Sequence, residues 1–99
     1  MKVLAIGHAR SGVGWEDIAP YVGEEARHVW ELYESDRVRE YYLRADDLPG
    51  VVLVLECDDL ADAERLVAAL PVLEAGLLDF EVIPLRPYVG LRRLFEAPT

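Results

Sequence analysis

The hydrophobic pattern of this chain switches between a two-residue and a helical period in a fixed order, and that order limits the fold more than any other feature. Val3 to His8 is a short apolar run suited to a buried strand, closed by Arg10-Ser11-Gly12-Val13-Gly14, whose glycines break regular structure. Pro20 suits the first turn of a helix. Beyond it Val22, Ala26, Val29, Trp30 and Tyr33 recur at three- and four-residue steps, with Glu24, Glu25, Arg27, His28, Glu31 and Glu34 on the other face, until Ser35-Asp36 ends the element. Val38 to Arg44 and Val51 to Cys57 read as two strands of a hairpin, joined through Asp46-Asp47 and Pro49-Gly50. Asp59 is placed to cap a second helix with Leu60, Ala63, Leu66, Val67 and Leu70 on one face, and Pro71 stops it. Val72 to Gly76 forms a turn or short helical piece before a last strand over Leu78 to Leu85.

The order β-α-β-β-α-β is the α+β, ferredoxin-like arrangement, in which both helices cover one face of a four-stranded antiparallel sheet. With no repeat or linker-like stretch, residues 1–99 read as a single domain. Val51, Leu53, Leu55, Phe80 and Val82 are assigned to the helix-covered face, which leaves Val52, Val54 and Glu56 with Asp79, Glu81 and Ile83 on the open one. The single Cys57 provides no intramolecular disulfide, so burial alone holds the fold. A small domain hides only about 60 to 65% of its unfolded surface, and 53% hydrophobic residues is more than one such core absorbs. The expected solution is a homodimer with two sheets packed face to face into a barrel. The tail over about 86–99, with Leu91-Arg92-Arg93-Leu94-Phe95, either crosses the partner or folds back on its own helices.

Acidic residues number 19 against 10 Lys and Arg, for a net charge of -9. That surplus opposes both the counterion release that drives nucleic-acid binding and docking on anionic lipid, so neither nucleic acid nor membrane is an expected partner. No apolar run approaches the roughly 18 residues of a membrane span, and the first residues do not read as a signal peptide, so a cytoplasmic protein is expected. The Gly7 to Gly14 stretch lacks the Lys and Ser/Thr of a phosphate-binding loop, because Val13 and Gly14 stand in their places. No recognised metal-ligand spacing is present.

Three segments carry a resemblance. Val38-Arg39-Glu40-Tyr41-Tyr42-Leu43-Arg44, Gly50-Val51-Val52-Leu53-Val54-Leu55-Glu56 and Leu70-Pro71-Val72 through Val82-Ile83-Pro84-Leu85 together resemble the muconolactone isomerase-like group of dimeric α/β-barrel proteins. The Ala75-Gly76-Leu77 step before the final strand is similar to that of the related YCII proteins. The resemblance covers about Glu24 to Phe95 and implies a homodimer or higher assembly with a pocket between sheet and helices or at the barrel rim. It also implies chemistry of the muconolactone isomerase kind, in which a double bond moves within a lactone by proton abstraction and return, with no cofactor. The YCII pattern implies a first-helix His paired with an Asp. In this chain His28 lies about a turn too late for that role, and Glu24 or Glu25 occupies the expected region.

A candidate site follows from reading the first and third strands as parallel neighbours, which brings His8 and Glu56 to one edge. Pairing Leu43 with Val52 and Tyr41 with Val54 sets Arg39 opposite Glu56, and Asp79 begins the last strand beside His8. One rim then collects His8 and Glu56 as proton-transfer groups, with Arg39, Tyr41 and Asp79 to hold a substrate. The competing reading makes Arg39 and Glu56 a cross-strand ion pair and His8 the end of a strand. Trp30 and Tyr33 read as core, His28 as a solvated side chain, and Cys57 as a small buried residue. Two functions are expected from this: a cofactor-independent isomerase or cyclase acting on a lactone, ketone or organic acid, or a non-catalytic dimeric binding or accessory module.

Overall fold

A computed structural model describes residues 1–97. The elements are β1 (Lys2–Ala9), α1 (Trp15–Ile18), a 3-10 turn (Ala19–Tyr21), α2 (Val22–Glu34), β2 (Val38–Leu43), β3 (Gly50–Glu56), α3 (Leu60–Ala68), α4 (Pro71–Glu74), β4 (Leu78–Pro84) and a 3-10 segment over Val89–Phe95. The sheet order is β2-β3-β1-β4, and every neighbouring pair is antiparallel. This is the ferredoxin-like arrangement expected from the pattern of periods.

Local chemistry accounts for the boundaries. Asp59 caps α3, its side chain accepting from the Asp62 backbone N–H at 2.7 Å. Pro71 does not continue α3 but opens the short helix α4 at its first position, where its missing N–H is no loss. Gly76 then takes φ +77 before β4.

Val3, Ala5, Val38, Leu53, Leu55, Leu70 and Leu78 are almost completely buried between sheet and helices. The register stacks three rows on that face: Val3 with Leu55 and Val38, then Val82 with Ala5, Leu53 and Tyr41, then Phe80 with Gly7, Val51 and Leu43. The Phe80 ring lies over Gly7, where an added Cβ would come within 2.7 Å of it. The face assignments of Val51, Leu53, Leu55, Phe80 and Val82 therefore hold. The opposite face carries no helix. There Leu4, Ile6, Val52, Val54 and Ile83 are half-buried only by one another, next to exposed Glu40, Tyr42 and Glu81.

Two expectations about packing are corrected. Trp30 is 62% exposed and Tyr33 is also exposed, because the inward stripe runs through Ile18, Glu25, Val29 and Leu32 and not through them. The β2–β3 register is one residue off the expected one, with Tyr41 opposite Leu53 and Leu43 opposite Val51, and an irregularity between Val38 and Glu40 shifts it by one residue more, setting Val38 opposite Leu55.

Candidate functional site

The rim expected to gather His8, Arg39, Glu56 and Asp79 is not formed. β1 and β3 are antiparallel, so Lys2 faces Glu56 and His8 faces Gly50. Six residues of strand separate the two candidates, about 20 Å at the usual rise. His8 does sit beside Asp79, as expected from β4, but is exposed at the edge of the open face, and Asp79 accepts from Arg10 Nε at 3.0 Å. Glu56 pairs with the Met1 amine at 3.3 Å, and Arg39 lies 3.7 Å from Asp36. The Arg39–Glu56 pair is thus replaced by one between Glu56 and the Met1 amine and one between Arg39 and Asp36, three residues before it. Cys57 is buried as expected, and its thiol is pushed up by that burial.

Tyr41 has a different setting. Its register partner Leu53 is on the helix-covered face, and Tyr41 lines a cavity of about 250 Å³ between the sheet and helices α1, α2 and α4. Ile18, Val29, Val51, Val72 and Leu78 form the deep wall, while the exposed Trp15, Val22 and Leu43 mark the mouth. Glu25 and Tyr41 are the only titratable groups in the lining.

Glu25 is the residue that sequence reasoning placed wrongly. The charge pattern puts it on the solvated face of its helix, yet it is 8% exposed and its Oε1 accepts from the Val72 backbone N–H at 3.2 Å. Val72 is in the first turn of α4, whose preceding residue Leu70 offers no side-chain cap, so Glu25 supplies that cap from α2. Oε2 is buried with no hydrogen-bond partner. Burial pushes the Glu25 carboxyl up from its ordinary value, opposed by the Val72 N–H and by the charge of His28. Burial and the nearby Glu25 carboxylate push the Tyr41 phenol up as well, so it remains a neutral O–H donor. The signal for Glu25 was present in spacing: Ile18, Val22, Glu25, Val29 and Leu32 step by four, three, four and three, which sets a carboxyl in the core-facing stripe.

A carboxyl whose proton affinity is raised by burial in a hydrocarbon wall, with a phenol in the same cavity, can take up and return a proton while the phenol steadies developing charge on oxygen. Among the described residues, no three His, Cys, Asp or Glu side chains converge as a metal site, and no helix is long and apolar enough to cross a membrane.

No protein-family model and no curated protein matches the sequence. Solved structures share its fold. The 5-chloro-2-hydroxyhydroquinone dehydrochlorinase of Burkholderia phenoliruptrix, determined in complex with 2,5-dihydroxybenzoquinone, is 20% identical and aligns over 87% of this chain and 94% of its own with a TM-score of 0.63. A protein from Agrobacterium tumefaciens is 16% identical over 91% of this chain and 96% of its own, with a TM-score of 0.54. At these identities the likeness is one of architecture, a four-stranded antiparallel sheet with its helices on one face.

Proposed function

We propose that this protein is a small cofactor-independent enzyme of the isomerase or cyclase type, which moves a proton within an organic molecule held between sheet and helices. The observation that carries the reading is Glu25, a buried carboxyl with one oxygen unpartnered, in the wall of an otherwise apolar cavity. In its ionised form Glu25 takes a proton from a carbon next to a carbonyl, and the electron pair of that C–H bond moves toward the carbonyl oxygen. The Tyr41 hydroxyl donates to that oxygen as charge develops. Return of the same proton to a different carbon completes an isomerisation with no other reactant. His8, Glu56, Arg39 and Asp79 have no part in this step, because none of them lines the cavity.

Kinship with the muconolactone isomerase-like and YCII-related barrels belongs to the same proposal. It is supported by the shared architecture. The reading also includes a homodimer formed through the open sheet face. That an enzyme of this fold acts on a chlorinated hydroxyhydroquinone agrees with a small-molecule substrate.

The test is solvent deuterium exchange followed by proton NMR with small cyclic ketones and lactones. Wild-type protein is expected to speed exchange at the carbon next to the carbonyl, and Glu25→Gln to lower that rate by about a hundredfold or more. Exchange unaffected by Glu25→Gln overturns the assignment. Binding in the cavity without any exchange leaves the non-catalytic binding module as the correct function.

A further inference from the structure

The twelve residues lining the cavity include no Lys, Arg or His. The cations closest to its end of the sheet are already engaged: Arg44 Nε donates to Asp46 at 3.0 Å and Arg10 Nε to Asp79 at 3.0 Å. His28 lies outside the lining, in a shallow groove with Leu32, Arg37 and Asp62. An anion entering the cavity would lose its hydration against hydrocarbon, find no cationic side chain in the lining, and face the carboxyl of Glu25. The net charge of -9 adds a long-range field of the same sign.

We propose that the ligand of this cavity is an uncharged molecule about the size of one substituted ring, presenting an oxygen to Glu25 and Tyr41, and that carboxylates are rejected. The inference rests on the reading of this cavity as the ligand site, and it narrows that reading by removing organic acids from the substrate class. Size follows from volume. An apolar cavity of about 150 Å³ accepts benzene, so about 250 Å³ accommodates a ring with one or two small substituents. Polarity follows from the lining, since the Tyr41 phenol offers an O–H donor beside the Glu25 carboxyl, and a carbonyl or ether oxygen can accept from it. The rest of the ligand meets Ile18, Val29, Val51, Val72 and Leu78, where only apolar surface is matched.

The experiment uses matched probes at neutral pH: methyl benzoate and cyclohex-2-enone as neutral molecules, and sodium benzoate as the anion. The chain has two tryptophans, of which Trp15 stands at the cavity mouth and Trp30 is exposed on α2. Trp30→Phe therefore leaves one indole to report occupancy by fluorescence, and calorimetry on the unaltered chain gives the same constants without a substitution. Methyl benzoate is expected to bind at least about tenfold more tightly than benzoate. Ala26→Phe, which adds bulk from α2 into the cavity, is expected to abolish binding of both neutral probes. Benzoate binding as tightly as its methyl ester overturns the proposal, as does failure of both neutral probes to bind or their retention in Ala26→Phe. Binding is read here without turnover. Neutral probes that bind but undergo no exchange therefore defeat the catalytic reading while leaving the charge selectivity in place.

Discussion

Glu25 ionises inside a hydrocarbon wall, so its proton is linked to folding. Its carboxyl is raised by burial above the ordinary 4.5 that the unfolded chain retains. Between those two values the unfolded chain has released a proton that the folded chain keeps, so the folded state loses stability as pH rises through the interval. The contribution is fully present below the unfolded value and gone above the folded one. Glu25→Gln cannot ionise, and its carbonyl can still accept from Val72. Denaturation measured from acid to neutral pH is expected to show wild type losing stability relative to Glu25→Gln as pH rises; parallel curves would refute the linkage. Tyr41→Phe keeps the ring and removes only the hydroxyl. It is expected to fold normally, to retain ligand binding and to lose about a hundredfold in exchange rate. His8→Ala is expected to change neither folding nor exchange, because His8 is exposed at the sheet edge away from the cavity lining. At this scale the sequence was legible where a residue type matched its surroundings. Glu25 was missed because a glutamate beside Glu24 and Arg27 reads as solvated, although its spacing placed it among core residues.

At the scale of elements, the order of strands and helices and the helix-covered face could be read from periodicity because each depends on local pattern. Direction and register could not. The hairpin makes β2 and β3 antiparallel, and the crossover through α2 makes β1 and β2 parallel, so β3 between them opposes both. Reading β1 and β3 as parallel is what brought His8 and Glu56 to one rim. The register has a separate origin, since the hairpin turn sets Leu43 opposite Val51 and the irregularity at Arg39 adds one further residue of shift, neither with any marker in composition. Where packing is closest, the sequence does mark it. Gly7 is required by the Phe80 ring above it, and Gly7→Ala is expected to cost about 1 to 3 kcal/mol through overpacking. Phe80→Leu removes the ring edge from that contact. In a double-mutant cycle the alanine should then cost measurably less, and an unchanged cost would place the strain elsewhere.

The whole molecule is longer than a self-contained chain of its length should be. Its Cα radius of gyration is 16.5 Å with extents of 60 × 30 × 20 Å, against about 13 Å for a compact chain of 100 residues. Much of the excess is the segment after β4, where Tyr88 is 78% and Phe95 88% exposed and Leu91 and Leu94 are exposed beside them. That segment has the opposite charge to the rest. Residues 1–85 carry 18 Asp and Glu against 7 Lys and Arg, a net of -11, whereas residues 86–99 carry three Arg against one Glu. The open sheet face offers a matching surface, with Leu4, Ile6, Val52, Val54 and Ile83 among Glu40, Glu56 and Glu81. In the proposed dimer a second copy would cover these apolar residues, and arginines from its arm would offset the repulsion between two acidic faces. Sedimentation at micromolar concentration is therefore expected to show at least a dimer. A chain ending at Leu85 is expected to dissociate at lower dilution, and Arg92→Glu with Arg93→Glu to weaken association in the same direction, with high salt narrowing the gap from wild type. If the arm instead packs on its own helices, truncation lowers thermal stability and leaves the association constant unchanged. A full-length chain that remains a folded monomer would defeat the dimer itself.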